Sequence, residues 1–127
     1  MVLKQHLVVD ARDCIGDLNS KEKLYKDIID MVNNVDMELL MTRPYHPKKK
    51  LFQINPYVVG ASKDEPPGVS GTGIITTSNI AAHLWSDENL ANWDVFSCKP
   101  FKKSDVRSKI KEFYETNKIK IQTIKRW

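Results

Sequence analysis

Between one helical stripe at residues 20–34 and another at 104–115, the chain carries several short apolar runs and no third helical pattern. That arrangement constrains the fold more than any other feature. Parallel strands need a crossover of a dozen or more residues, usually a helix, whereas antiparallel strands need only a tight turn. Too few helices separate the middle strands for a doubly wound parallel sheet. The expectation is an α+β two-layer sandwich: a mostly antiparallel sheet with both main helices on one face. At 127 residues the chain is long enough for one core, so residues 1–127 are read as a single domain.

The elements follow in order. Gln5 to Asp10 (QHLVVD) is an apolar run suited to a buried strand. Asn19 with Glu22 has the spacing of a capping box, and Leu24, Ile28, Met31 or Val32, and Val35 recur at helical spacing. Met37 to Thr42 (MELLMT) reads as a second strand. Pro44, Pro47, Pro56, Pro66 and Pro67 then fall within residues 43–67, so this segment reads as a long excursion. A strand at residues 51–59 inside it is confined by Pro56 to an edge or a bulge. Gly71 to Thr77 is β-branched and glycine-bearing, Ser78-Asn79 reads as a break, and Ile80 to Trp85 is apolar again. Trp93 to Cys98 alternates like a strand. Ser104 is placed to cap the second helix, whose stripe is Val106, Ile110 and Phe113 or Tyr114, and Ile119 to Ile124 closes the chain as a strand.

Composition narrows the function classes. The net charge of +4 is mild, and lysines are largely matched by acids apart from Lys48-Lys49-Lys50. A solvated basic surface accounts for this, so neither nucleic acid nor an anionic membrane is expected as a partner. No apolar run approaches the roughly 20 residues of a membrane span, and the first residues lack a signal-peptide pattern. Cys14 and Cys98 form no disulfide framework and no metal-ligand spacing, and His6, His46 and His83 share none either. The chain is expected to be cytoplasmic, with free thiols and no bound metal.

Four residues between positions 70 and 98 carry chemistry: Ser70 in GVSG, Ser78 in TTSN, His83 in AAHLW and Cys98 in FSCKP. Each has a plain reading as well. Ser78-Asn79 suits a turn, His83 a hydrogen-bonded core histidine, and Cys98 a buried strand residue. No GxSxG motif is present. Taken together, Gly68-Val69-Ser70-Gly71, Ser78 eight residues after Ser70, His83 five later, Trp85 and Cys98 resemble the signature of the short prokaryotic and phage-type S-adenosylmethionine decarboxylase proenzymes. His6-Leu7-Val8-Val9-Asp10 with Cys14 resembles the same family's opening pattern.

The resemblance implies a self-processing, pyruvoyl-dependent decarboxylase. The Ser78 hydroxyl would attack the Thr77 carbonyl, leaving an ester; elimination and loss of ammonia would convert Ser78 into the pyruvoyl cofactor. His83 would remove the α-proton in that elimination, and Ser70 would hydrogen-bond the cyclic intermediate. The cofactor would condense with the amine of a small amino-acid-type substrate as a Schiff base, and Cys98 would return a proton to the α-carbon. Trp85 and Asp87 are implied as substrate-binding, with Trp85 or Phe52 as an aromatic partner for adenine, and a homodimer is implied as the assembly. Thr77 stands where the family usually has glutamate and Asn79 where it has histidine, which leaves the substrate more open than the processing. S-adenosylmethionine, for polyamine synthesis, is the first expectation. Decarboxylation of a basic amino acid such as ornithine or arginine, or a processing-dead regulatory subunit, are the alternatives.

Overall fold

A computed structural model of the chain describes residues 4–41, 56–75, 78–98 and 101–126. The elements are β1 (Lys4–Ala11), α1 (Lys21–Met41), β2 (Tyr57–Gly60), β3 (Gly68–Ile75), β4 (Ser78–Trp85), β5 (Leu90–Ser97), α2 (Lys103–Tyr114) and β6 (Ile119–Arg126). They form one six-stranded sheet in the order β2-β3-β4-β5-β1-β6, and every neighbouring pair is antiparallel. Strands β2 to β5 make a meander, and β1 and β6 extend it beyond β5. This is the expected α+β two-layer sandwich.

Register decides which side chains meet the helices. Val9, Trp93, Ala82 and Gly71 stand in one cross-strand row, and the first three are fully buried. From α1, Leu24, Ile28, Met31 and Val32 cover that face; from α2, Val106, Ile110, Phe113 and Tyr114 do so. Trp93 is the centre of the core. Its ring stacks on Phe113 at 5.6 Å between centroids, and its indole N–H donates to the Tyr114 hydroxyl at 2.8 Å. A buried tyrosine oxygen and a buried indole nitrogen thus satisfy each other, as burial of both requires. Gly71 lets α1 settle close: a Cβ there would lie 2.8 Å from Ile28 Cδ1 and 3.2 Å from Leu24 Cδ2.

Several expectations need correction. Met37 to Met41 is not a strand but the end of α1. Methionine, leucine and glutamate are good helix formers, and no glycine or proline stands between the Leu24–Val32 stripe and Pro44, so the helix propagates. Its cap is not Asn19 but Ser20, whose Oγ accepts from the Lys23 N–H at 3.0 Å, while the Asn19 N–H is taken by Asp17. The second helix is capped by the backbone of Lys102, with no side-chain cap bond, and Ser104 lies within its first turn. Ser78-Asn79 is not a break but the start of β4, because Ser78 pairs with Ile75 and Asn79 with Ile74. Of the excursion, residues 42–55, including Phe52, lie outside the described residues. Tyr57–Gly60 is a short edge strand immediately after Pro56, where a proline can begin a strand without breaking a ladder.

Candidate active site

Strand β4 carries two of the four sequence-predicted residues, one at each end. Its side chains alternate, with Ser78, Ile80, Ala82 and Leu84 turned to the helices. Ser78 is therefore buried, and its hydroxyl donates to Ser97 Oγ at 3.4 Å, with Ser97 wholly enclosed. Cys98 follows Ser97 directly at the end of β5 and is half-buried. Ser78 and Cys98, twenty residues apart in sequence, thus lie at the same end of the β4–β5 pair. Thr77, and with it the expected scissile bond, lies outside the described residues.

His83 is five residues further along the same strand, about 17 Å from Ser78 at roughly 3.4 Å per residue, and an odd separation turns it to the opposite face. There it stands directly across from Ser70 in the β3–β4 register. Ser70 Oγ and His83 Nδ1 share a hydrogen bond of 2.8 Å. Within one chain the structure thus pairs Ser70 with His83 and Ser78 with Ser97, the neighbour of Cys98, but does not bring the two pairs together.

The Ser70–His83 pair opens on a cavity of about 340 Å³, walled by Gly68, Trp85 and, across it, Gly60, Glu65 and Pro66. Gly68 must be glycine: its φ is +147°, and a Cβ would fall within 1.8 Å of the Leu84 carbonyl oxygen. The cavity wall at residues 61–67 is pinned at both ends. The Ala61 N–H donates to the Gly68 carbonyl, and the Ser86 N–H to that of Pro67. Glu65 accepts from the Ser62 backbone N–H at 2.6 Å, and the hydrogen bonds from Ser62 hold its carboxyl below the usual range. Trp85 donates its indole N–H to Asn92 Oδ1 at 2.7 Å, and Asn92 Nδ2 donates to Asp10 Oδ1 at 2.7 Å. Asp87 is exposed in the turn between β4 and β5, outside the cavity wall.

Ser97, Asn92 and Glu65 were not singled out by sequence. For Asn92 a signal existed: the four residues Ser86–Asn89 between Trp85 and Leu90 fix a register that sets Asn92 opposite His83. Among the described residues, no three His, Cys, Asp or Glu side chains gather as a metal site, and no helix is long and apolar enough to cross a membrane.

Comparison with known proteins shows the family and the fold. A family model described as S-adenosylmethionine decarboxylase matches residues 5–127. An S-adenosylmethionine decarboxylase proenzyme of Methanococcus maripaludis is 33% identical over 69 residues, covering 54% of this chain and 57% of the relative. Another from Methanococcus aeolicus is 25% identical over 126 residues, covering 98% and 93%. The crystal structure of the adenosylmethionine decarboxylase from Aquifex aeolicus superposes with a TM-score of 0.67 at 18% identity, over 98% of this chain and 91% of that one, a shared fold.

Proposed function

The chain belongs to the S-adenosylmethionine decarboxylase family, and from that premise we propose that it is a cytoplasmic proenzyme. It cuts itself between Thr77 and Ser78 and then decarboxylates S-adenosylmethionine, supplying the aminopropyl donor for polyamine synthesis. The observation that carries this reading is the 2.8 Å Ser70–His83 bond at the mouth of a cavity. Neither the family nor the relatives support ornithine or arginine as the substrate.

The place of Ser78 fits a pyruvoyl group derived from it. The side chain is enclosed, and a buried hydroxyl, that of Ser97, lies against its oxygen. A pyruvoyl group there supplies a carbonyl that takes up the substrate amine and accepts the electrons released with carbon dioxide. Everything else is asked of the chain's own side chains. Burial strips water from the Ser78 hydroxyl, and Ser97 restricts its rotation before attack on the Thr77 carbonyl. His83, exposed and paired with Ser70, is the group free to take a proton in the elimination. Cys98, the neighbour of Ser97, would return a proton at the α-carbon. Trp85 gives the cavity an aromatic wall suited to a flat heteroaromatic ring. Asp87, in the turn two residues beyond Trp85 and outside the lining, is assigned a lesser part in binding.

A homodimer completes this reading. Helices cover one face of the sheet, and Tyr57, Val59, Ile74 and Ile124, four of the most exposed large apolar residues, stand on the other. An apolar sheet face of this kind is stabilised by a cover. A second copy laid across it would bring its own Ser70–His83 pair to the end of the hairpin that bears Ser78.

Intact-mass measurement tests the proposal first. The chain of 14.6 kDa should give pieces of about 9 and 6 kDa, scaled by the 77 and 50 residues on either side of the cut, with the smaller blocked at its amino end. Ser78→Ala should stay whole and inactive. A folded wild-type chain still intact after days of incubation would leave the regulatory-subunit reading in its place.

A further inference from the structure

We infer that Asn92 and Asp10 are positioning residues for the cavity wall, holding the Trp85 indole so that a ligand meets its ring face and never its N–H. This rests on the reading of the cavity as the substrate site. An indole has a single hydrogen-bond donor, and that of Trp85 is spent on Asn92 Oδ1 at 2.7 Å. The Asn92 amide cannot turn round, because its Nδ2 donates to Asp10 Oδ1 at 2.7 Å. Reversing it would set the amide nitrogen against the indole N–H and the amide oxygen against a carboxylate. A carboxylate acceptor makes the outer bond charge-assisted, and such bonds are the shorter and stronger kind.

The tether crosses three adjacent strands, from β4 through β5 to β1, on the face that bears Ser70 and His83. Trp85 needs it because of its position. It is the last residue of β4, where the ladder ends and the turn begins. His83 lies directly opposite Asn92, but its Nδ1 is engaged by Ser70, so the amide serves the indole and not the imidazole. Stacking depends on the plane and offset of the ring. A ring fixed in advance spares the ligand the ordering of a mobile side chain. The effect therefore belongs to binding and not to proton transfer.

The test uses the full chain and two readouts. Indole N–H exchange by NMR, with the Trp85 signal assigned through Trp85→Phe, should show protection in the wild type and about tenfold faster exchange in Asn92→Ala and Asp10→Ala. With S-adenosylmethionine, Asn92→Ala should raise KM about tenfold while kcat and the self-cleavage rate stay within about twofold. Trp85→Phe, which keeps a ring and loses the N–H, should raise KM similarly even if Asn92→Ala folds poorly. Adding Asn92→Ala to Trp85→Phe should then change KM little, since the interaction is already gone. An unprotected indole, or an equal KM rise in the Trp85→Phe background, overturns the tether whatever the chain turns over. A protected indole in a chain that never decarboxylates S-adenosylmethionine overturns the functional reading and leaves the tether standing.

Discussion

The two ends of β4 differ in almost every respect. At its start, Ser78 faces the helices, is 6% exposed, and among the described residues has the wholly enclosed Ser97 as its hydroxyl partner. Near its end, His83 faces outward, holds Ser70, and looks into a cavity. The serine is dry; the histidine is wet and reachable. One strand cannot turn both side chains to the same place, because a separation of five residues reverses the face. What the contrast teaches is that one strand carries both candidate groups of the proposed centre without bringing them together within a chain.

The sharpest way to break this comparison is to mix two inactive chains. His83→Ala alone should cleave at least ~100-fold slower, the ordinary cost of losing a general base, and Ser78→Ala should not cleave at all. Mixed and allowed to exchange subunits, the His83→Ala chains should be cut, because Ser78→Ala chains still carry His83. If the mixture stays whole on denaturing gels while native mass spectrometry resolves mixed dimers, sharing between copies is wrong.

Cys98→Ala sharpens the assignment within the Ser78 end. Self-cleavage should proceed at the normal rate while decarboxylation falls by ~10²-fold or more, because the acid acts after the cofactor exists. Wild-type turnover in that variant removes Cys98 from the mechanism. A milder change is expected from Ser97→Ala. Losing one hydroxyl partner should slow self-cleavage by about tenfold and cost about 1 kcal/mol of stability, with KM for the processed enzyme unchanged. Equal cleavage rates in the two chains would mean that the contact orders nothing.

The smallest expected effect concerns the two thiols. Cys14 is buried beneath β1, donates to the Ala11 carbonyl at 3.4 Å, and burial pushes its pKa up to about 11. Since the thiolate is the reactive form, Cys14 should resist alkylation in the folded protein at pH 8, while half-buried Cys98 reacts first. Peptide mapping after brief iodoacetamide treatment reads the difference. Preferential labelling of Cys14 would mean that β1 and its neighbours open more readily than their packing implies.

The sequence made the fold legible where periodicity was unopposed. Two helical stripes and a scarcity of helix between strands led to one antiparallel sheet with helices on one side. It misled where a short apolar run lacked context: Met37 to Met41 has no alternation, so nothing local separates a strand from the continuation of a helix. The Ser78-Asn79 pair looked like a turn because serine and asparagine favour turns, yet register placed both in β4. For the candidate site, spacing singled out candidates but not their faces. Ser70 and His83 could be paired only once the β3–β4 register was known, and the Trp85–Asn92–Asp10 tether needs three strands whose order, with β1 beside β5, no local pattern encodes.

The distance between the ends of β4 also carries a consequence for timing, if copies share the site as proposed. A chain folding alone would then hold a bond that it lacks the means to cut, and a newly made molecule would be safe from itself until it met another. Maturation would follow encounter, and where dimers are scarce its initial rate would rise with the square of chain concentration. Dilute chains would persist in one piece, and crowded ones would ripen quickly. Abundance would then be the trigger, with no separate activator required.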